Sequence, residues 1–252
     1  MLIISADDFG RSRLATDNAI ASFKRRGITS ASVMVFMEDS QRAAELAKEH
    51  GLDVGLHLNF TQRIDQPISS QLFLSHHNRI MQYLTSGKYH FSIYNLSLKR
   101  AFDFVFNAQL EEYERLLGAA PTHFDGHHHM HLCANMIFGK VIPRNQIVRR
   151  NFTFAPGEKN PLNRTYRLFI DKILKRRYYI VDFLFSLSER LKLGRLNHDL
   201  RYAKVFNVEL QTHPEHRVEF QWLNEGPGVQ VADSLEKGNF ALLRNLSISN
   251  KA

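Results

Sequence analysis

The alternation of short apolar runs with amphipathic ones over the first sixty residues narrows the fold more than any other feature of this chain. Residues 2–6 read as a strand, and Ser12 is placed to cap a helix that runs to about Arg26 and stops at Gly27. Residues 30–36, small and β-branched, read as a second strand. Residues 40–50 read as a second helix stopped by Gly51, and residues 54–58 as a third strand. This β-α-β-α-β spacing implies an α/β fold with a parallel sheet and right-handed crossovers. In such sheets chemistry gathers at the C-terminal ends of the strands.

Beyond this point the pattern loosens. Residues 62–97 have no clear period and read as a long excursion with one short helix at about 80–84. Residues 98–117 are strongly amphipathic, with Phe102, Val105, Leu110, Tyr113, Leu116 and Leu117 at helical spacing and Gly118 as the stop. A fourth strand is expected at 122–125, a fifth within 141–154 and a sixth at 205–211, while about 155–200 reads as a helical, aromatic-rich insertion. There is no internal repeat and no low-complexity linker, so residues 1–252 are expected to form a single domain, a length that α/β barrels reach as one unit.

Hydrophobic residues at 44% and charged residues at 23% exclude a disordered or fibrous chain. No run approaches the roughly 18 apolar residues of a membrane span. The apolar start meets Asp7-Asp8 too soon for a secretory leader, so the expected location is cytoplasmic. The single cysteine, Cys133, excludes an internal disulfide and reads as a small core residue. A net charge of +8 raises the question of an anionic partner. Its main concentration, Arg164, Arg167, Lys172, Lys175, Arg176 and Arg177, is interleaved with Tyr166, Phe169, Ile170, Ile173 and Leu174, as on a helix with one solvated face, and nucleic acid is not expected as a partner.

Chemistry-bearing residues stand at the expected strand ends. Asp7 and Asp8 are adjacent carboxylates that repel one another, and both can face one pocket only if the chain turns there, a turn Gly10 would help. A nearby cation would relieve the repulsion, leaving one Asp as ligand and the other as base. His57 closes the third strand. The segment His123-Phe-Asp125-Gly-His127-His128-His129-Met-His131 packs five histidines and an aspartate into nine residues, which buried packing alone does not explain, because each imidazole needs partners for two nitrogens. If the strand continued, His123, Asp125, His127 and His129 would share one face. Asp8, His57 and one of these histidines would form an open site for one divalent ion, Zn²⁺ or the harder Mg²⁺, and the natural chemistry of such a site is hydrolysis. His213, after the sixth strand, could protonate a leaving group. Arg149 or Arg150, ending the fifth strand, could orient a carboxylate or bind substrate.

In this order the pieces resemble the YdjC/ChbG-like carbohydrate deacetylases. The matching blocks are Ala6-Asp7-Asp8-Phe9-Gly10, Asn18-Ala19-Ile20, Gly27-Ile28-Thr29-Ser30-Ala31-Ser32, Gly55-Leu56-His57-Leu58-Asn59, the histidine segment 123–131, and Glu209 with His213-Pro214. The resemblance implies a distorted (β/α) barrel of mostly parallel strands, one divalent ion, and removal of acetyl from an N-acetylated amino sugar. Carried over by position, Asp7 is the general base, His213 the general acid, and Asp8, His57 and His127 the metal ligands. Arg149, Arg150, Asp125, His129 and Asn59 are expected to contact the substrate, and a homodimer is compatible with the family. Two departures bear on the substrate: the usual glycine after His-Pro is Glu215, and the arginine strand reads Val148-Arg149-Arg150 in place of Arg-x-Pro. The rival readings are a metal-dependent phosphoesterase using the same ligands and a non-catalytic polyanion binder using the 164–177 helix.

Overall fold

The computed structural model describes residues 1–68, 70–225 and 234–249. Its strands are β1 (Leu2–Phe9), β2 (Ser30–Val33), β3 (Asp53–Leu58), β4 (Phe124–Gly126), β5 (Phe183–Ser186) and β6 (Val208–Thr212). All pair in parallel, in the order β4-β3-β2-β1-β6-β5, as one curled sheet. The first crossovers are helices α1 (Arg13–Lys24) and α2 (Ser40–His50), followed by α3 (Gln71–Thr85) and α4 (Lys99–Leu117). The Ser12 hydroxyl caps α1, accepting from the Ala15 amide at 3.2 Å.

The strands are buried on both faces, as parallel strands flanked by helices must be. Their two faces differ in chemistry. Leu2, Ile4 and Ala6 of β1, Val33, Leu56, Leu58, Val208 and Leu210 belong to the large core shared with the helices. On the inner face of the curl Ile3 packs with Met1, Ile147, Val181, Phe240 and Leu243 as an apolar floor. Above it, alternate positions are polar and buried: Ser5, Ser32, Asp125, Glu209 and Gln211. Gly55 on β3 makes room for this layer, because a Cβ there would lie 2.4 Å from the His123 ring.

The structure corrects four expectations. The excursion at 62–97 contains a full helix, α3, whose Phe73, His77, Ile80 and Leu84 face inward; its histidines and glutamines mask the helical period. The fifth strand expected at 141–154 forms no ladder. Val148 and Ile147 make isolated bridges to Phe124 and Tyr179, and Thr153 donates to the Leu184 carbonyl at 2.9 Å, so this segment spans the gap between β4 and the β5 edge. The region read as a helical insertion holds α6 (Pro161–Lys175), but also the edge strand β5, followed by the short helices α7 (Leu187–Lys192) and α8 (Leu196–Leu200), with α5 (Ala134–Gly139) preceding it. Finally, the strand at 122–125 does not run on through the histidines: after Gly126 the chain turns through a kink at His128 and His129, whose φ of 53° and 58° are left-handed, between short 3₁₀ pieces. Helix α9 (Arg217–Glu225) follows β6, and α10 (Phe240–Ser249) closes the floor. Among the described residues no helix is long and apolar enough to cross a membrane.

Candidate active site

Asp8 is the pivot. Adjacent strand residues normally point to opposite faces, but Asp8 has a left-handed φ of 60° and the β1–β2 register shifts between Ala6 and Phe9. This irregularity turns Asp7 and Asp8 into the same buried region at the top of the sheet. Gly10, at φ 83°, continues the turn against the Met34 carbonyl.

Neighbouring strand ends supply the partners. His57 Nε2 lies 3.3 Å from Asp8 Oδ1, and His127 Nδ1 lies 2.8 Å from the same oxygen. Ligand atoms of Asp8, His57 and His127 all fall within 4.8 Å of one another. Residues 8, 57 and 127 are remote in sequence; β3 and β4 bring the last two together, since His57 pairs with Asp125 in register. The turn after Gly126 then returns His127 over the sheet toward Asp8.

A second set of groups holds this triad. His57 Nδ1 donates to Asp125 Oδ1 at 2.8 Å, which fixes the tautomer so that Nε2 faces Asp8. Ser32 gives its one hydroxyl proton to Asp125 Oδ2 at 2.7 Å, so it accepts from His123 Nε2 at 3.0 Å. Arg149, wholly buried, donates to both oxygens of Asp7 at 2.7 Å and to Glu209 at 2.7 Å, and pairs with Asp125 at 2.7 Å. Gln211 donates to Asp7 at 2.5 Å.

The electrostatics favour a cation. Burial pulls the His57 imidazole down, but Asp125, Asp7 and Asp8 outweigh it and push the ring up to about 10. Burial raises the Asp8 carboxyl, yet hydrogen bonds from His127 and His57 hold it well below the usual range. Glu209 is pushed up to about 7, by burial first, with Arg149 opposing. Around Asp8 the buried carboxyl groups of Asp7, Asp8, Asp125 and Glu209 thus outnumber the Arg149 guanidinium, and the nitrogen facing Asp8 is driven to carry positive charge. Two imidazoles and one carboxylate, with the second nitrogen of one ring oriented by a carboxylate, fit a transition-type divalent ion.

The substrate-contact expectations need revision. Asp125 is fully buried and engaged on both oxygens, so it orients His57 and cannot meet substrate. Asn59 is also buried; its side chain accepts from the Gln62 amide at 2.9 Å and donates to the Gln62 carbonyl, shaping the loop after β3. Arg149 clamps carboxylates and does not reach solvent. Arg150 turns away to Asp171 at 2.5 Å. His129 lines an open cavity of about 320 Å³, with Phe91, Asn151, Phe152, Tyr166 and Arg167, whereas Arg150 lines a separate one of about 80 Å³. The His129 Nδ1 is buried without a partner.

His213 follows Thr212, which pairs with Ala6, so it stands at the strand end next to Asp7. Its amide donates to Glu219 at 2.6 Å and its ring stacks on His216. Several site residues were not found in the sequence. Gln211 is two positions beyond Glu209, and the period of two on β6 was a usable signal for it. Ser32 carried none by itself. Nor did Arg11, which donates to Asp8 Oδ2 at 2.9 Å and pairs with Glu215.

Comparison with known proteins follows the same lines. The family model described as YdjC-like protein matches residues 1–225. A carbohydrate deacetylase of Clostridium beijerinckii is 30% identical over 220 residues, covering 84% of this chain and 80% of that protein. A chitooligosaccharide deacetylase of Proteus mirabilis is 34% identical over 136 residues, covering 52% of this chain and 50% of the other. Against several of these curated relatives the matched region spans about half of their length. A crystal structure described as a candidate cellobiose-phosphate cleavage protein from Enterococcus faecalis V583 superposes with a TM-score of 0.68 at 17% identity, covering 96% of this chain and 98% of that one, and shares the fold. A match running through every strand of the sheet and through all the residues around Asp8 has one reading: the chain belongs to the YdjC-like protein family.

Proposed function

We propose that this protein is a metal-dependent deacetylase that hydrolyses the amide of an N-acetylated amino sugar. The observation that carries the reading is the meeting of Asp8, His57 and His127 beside a second carboxylate, Asp7, that is held by Arg149 and Gln211. The names of the carbohydrate and chitooligosaccharide deacetylases it resembles supply the substrate class.

Asp8, His57 and His127 would hold the ion, and the donor set favours Zn²⁺ or a similar transition ion over Mg²⁺. When bound, such an ion acidifies a water and stabilises negative charge developing on a carbonyl oxygen. The remaining work falls to side chains. Asp7, locked in one orientation by the Arg149 fork, takes a proton from the water that adds to the acetyl carbon. His213, on the adjacent strand end, gives a proton to the departing nitrogen as the C–N bond breaks, yielding acetate and the free amine. The cavity beside His129, with aromatic faces from Phe152 and Tyr166 and polar ends from Asn151 and Arg167, suits a sugar ring: apolar ring faces stack while hydroxyls find hydrogen bonds.

The test is acetate release from a panel of N-acetylglucosamine oligomers and monomers with metal-loaded protein, alongside phosphate release from a generic phosphoester. Acetate release from at least one sugar, abolished in Asp7→Asn, is expected. Phosphate release without acetate release would replace this reading by the phosphoesterase one.

A further inference from the structure

A second group of metal-ligating side chains lies outside the Asp8 site. His213, His216 and Glu219 present ligand atoms that all fall within 4.8 Å of one another. None is shared with the first group. We propose that His213, His216 and Glu219 form a second, weaker binding site for a transition-metal ion, and that its occupation inhibits the enzyme by capturing His213.

The local chain explains the convergence. β6 ends at Thr212, the His216 amide donates back to the His213 carbonyl at 2.9 Å, and the turn leads into α9, whose first turn carries Glu219. Spacing of three residues between successive donors stacks them along one side of this turn and helix start. The two rings already face each other, with centroids 5.4 Å apart. Two histidines and one glutamate with a fourth position open to water is a zinc-type donor set. Metal–ligand bonds of about 2.0–2.2 Å require the three atoms to draw closer than they stand. His216, 59% exposed at its side chain, is free to supply that movement.

Charge and occupancy agree with a site weaker than the first. Glu219 is buried and already accepts from the His213 amide and the Ser188 hydroxyl, leaving each oxygen one further lone pair. Glu215, 3.6 Å from His216 Nε2, adds negative charge, although Arg11 partly neutralises it. The Asp8 site has buried ligands and the Asp125 carboxylate hydrogen-bonded behind His57; this one has an exposed histidine whose nearest carboxylate, Glu215, stands 3.6 Å away and is shared with Arg11. An ion bound to one nitrogen of His213 occupies that nitrogen's lone pair and so keeps the ring from forming the doubly protonated imidazolium that acts as the acid. The existence of the site is independent of the deacetylase reading, whereas the inhibition rests on the role of His213 in it.

The experiment is a Zn²⁺ titration of metal-stripped full-length protein by equilibrium dialysis with elemental analysis, with acetate release followed on the same samples. Wild type should take up two ions, the second at least tenfold more weakly, and the rate should rise with the first and fall with the second. His216→Ala, at an exposed position outside the proposed catalytic machinery, should stop at one ion, keep the basal rate and lose the inhibition. Asp8→Asn should retain the weaker ion alone. Uptake of only one ion by wild type, or a second ion retained with unchanged affinity in His216→Ala, would overturn the site. If no variant releases acetate while the stoichiometry behaves as stated, the deacetylase reading fails and the metal site stands.

Discussion

The His57 Nδ1 to Asp125 Oδ1 hydrogen bond of 2.8 Å joins the ends of two paired strands and sets the direction of the nitrogen that faces Asp8. Asp125→Asn should therefore weaken metal binding by about 10–100-fold, the usual consequence of losing a carboxylate behind a ligating histidine. Competition with a graded series of chelators measures it. Affinity within about twofold of wild type would show that ring orientation is fixed by packing instead.

Asp7 and His57 separate chemistry from binding. Asp7→Asn loses the proton acceptor and one hydrogen bond from the Arg149 fork but none of Asp8, His57 and His127, so it should still bind metal and lose about 10²-fold or more in kcat. His57→Ala should lose both metal and turnover. Metal content by elemental analysis beside single-substrate kinetics distinguishes the two patterns.

Arg11 ties Asp8 Oδ2 to Glu215. In Glu215→Gln the guanidinium is balanced by Asp8 alone and competes more strongly with a cation for it. Since this pair is partly exposed, the effect is limited to about 1 kcal/mol, or up to about fivefold weaker metal binding. Stronger binding in the variant would contradict the argument.

Buried neutral histidines make the fold acid-sensitive. His77, His123 and His131 are each pushed down to about 4, chiefly by burial. Folded values below the ordinary value of about 6.5 mean that the unfolded chain binds more protons between the two. Stability is thus fully present above about pH 6.5 and lost as pH falls toward 4, at up to about 1.4 kcal/mol per pH unit for each histidine. Urea midpoints across this range should show a shallower slope in His77→Gln, a position outside the Asp8, His57 and His127 set. An identical slope would remove His77 from the account.

The cavity beside His129 predicts a separation of binding from chemistry. Tyr166→Ala removes one aromatic wall that touches no proposed catalytic group, so KM should rise by about tenfold, in line with about 1.5 kcal/mol for an aromatic contact, with kcat changed little. Initial rates over a range of sugar concentrations provide the readout. A fall in kcat at constant KM would place Tyr166 nearer the reacting bond.

What the sequence determined by itself was local and periodic. The spacing of apolar residues around Asp7-Asp8 and His57 specified the β-α-β-α-β start, because Ser12 caps the start of α1 and Gly51 supplies the αL residue that ends α2, whereas α1 ends at Lys24 with Arg26 left-handed and Gly27 packed against the Leu223 backbone. The same periodicity was legible for α4. Strand ends in a parallel sheet lie along one edge, so the placing of Asp8 and His57 at the same end of the sheet followed from order alone, with β2 between their strands. What only the tertiary structure decided depends on contacts without a period. The positive φ of Asp8 lets two neighbouring carboxylates share a pocket, and the turn after Gly126 sends His127 to Asp8 while Asp125 stays beneath His57. β5 and the 147–153 segment are short edge pieces whose partners, not their own patterns, make them extended. Which arginine entered the site was likewise settled by three buried carboxylates that only folding assembles: Asp7, Asp125 and Glu209 need a cation among them, and Arg149, whose amide bonds to the Phe124 carbonyl at the β4 edge, is the one whose guanidinium meets all three.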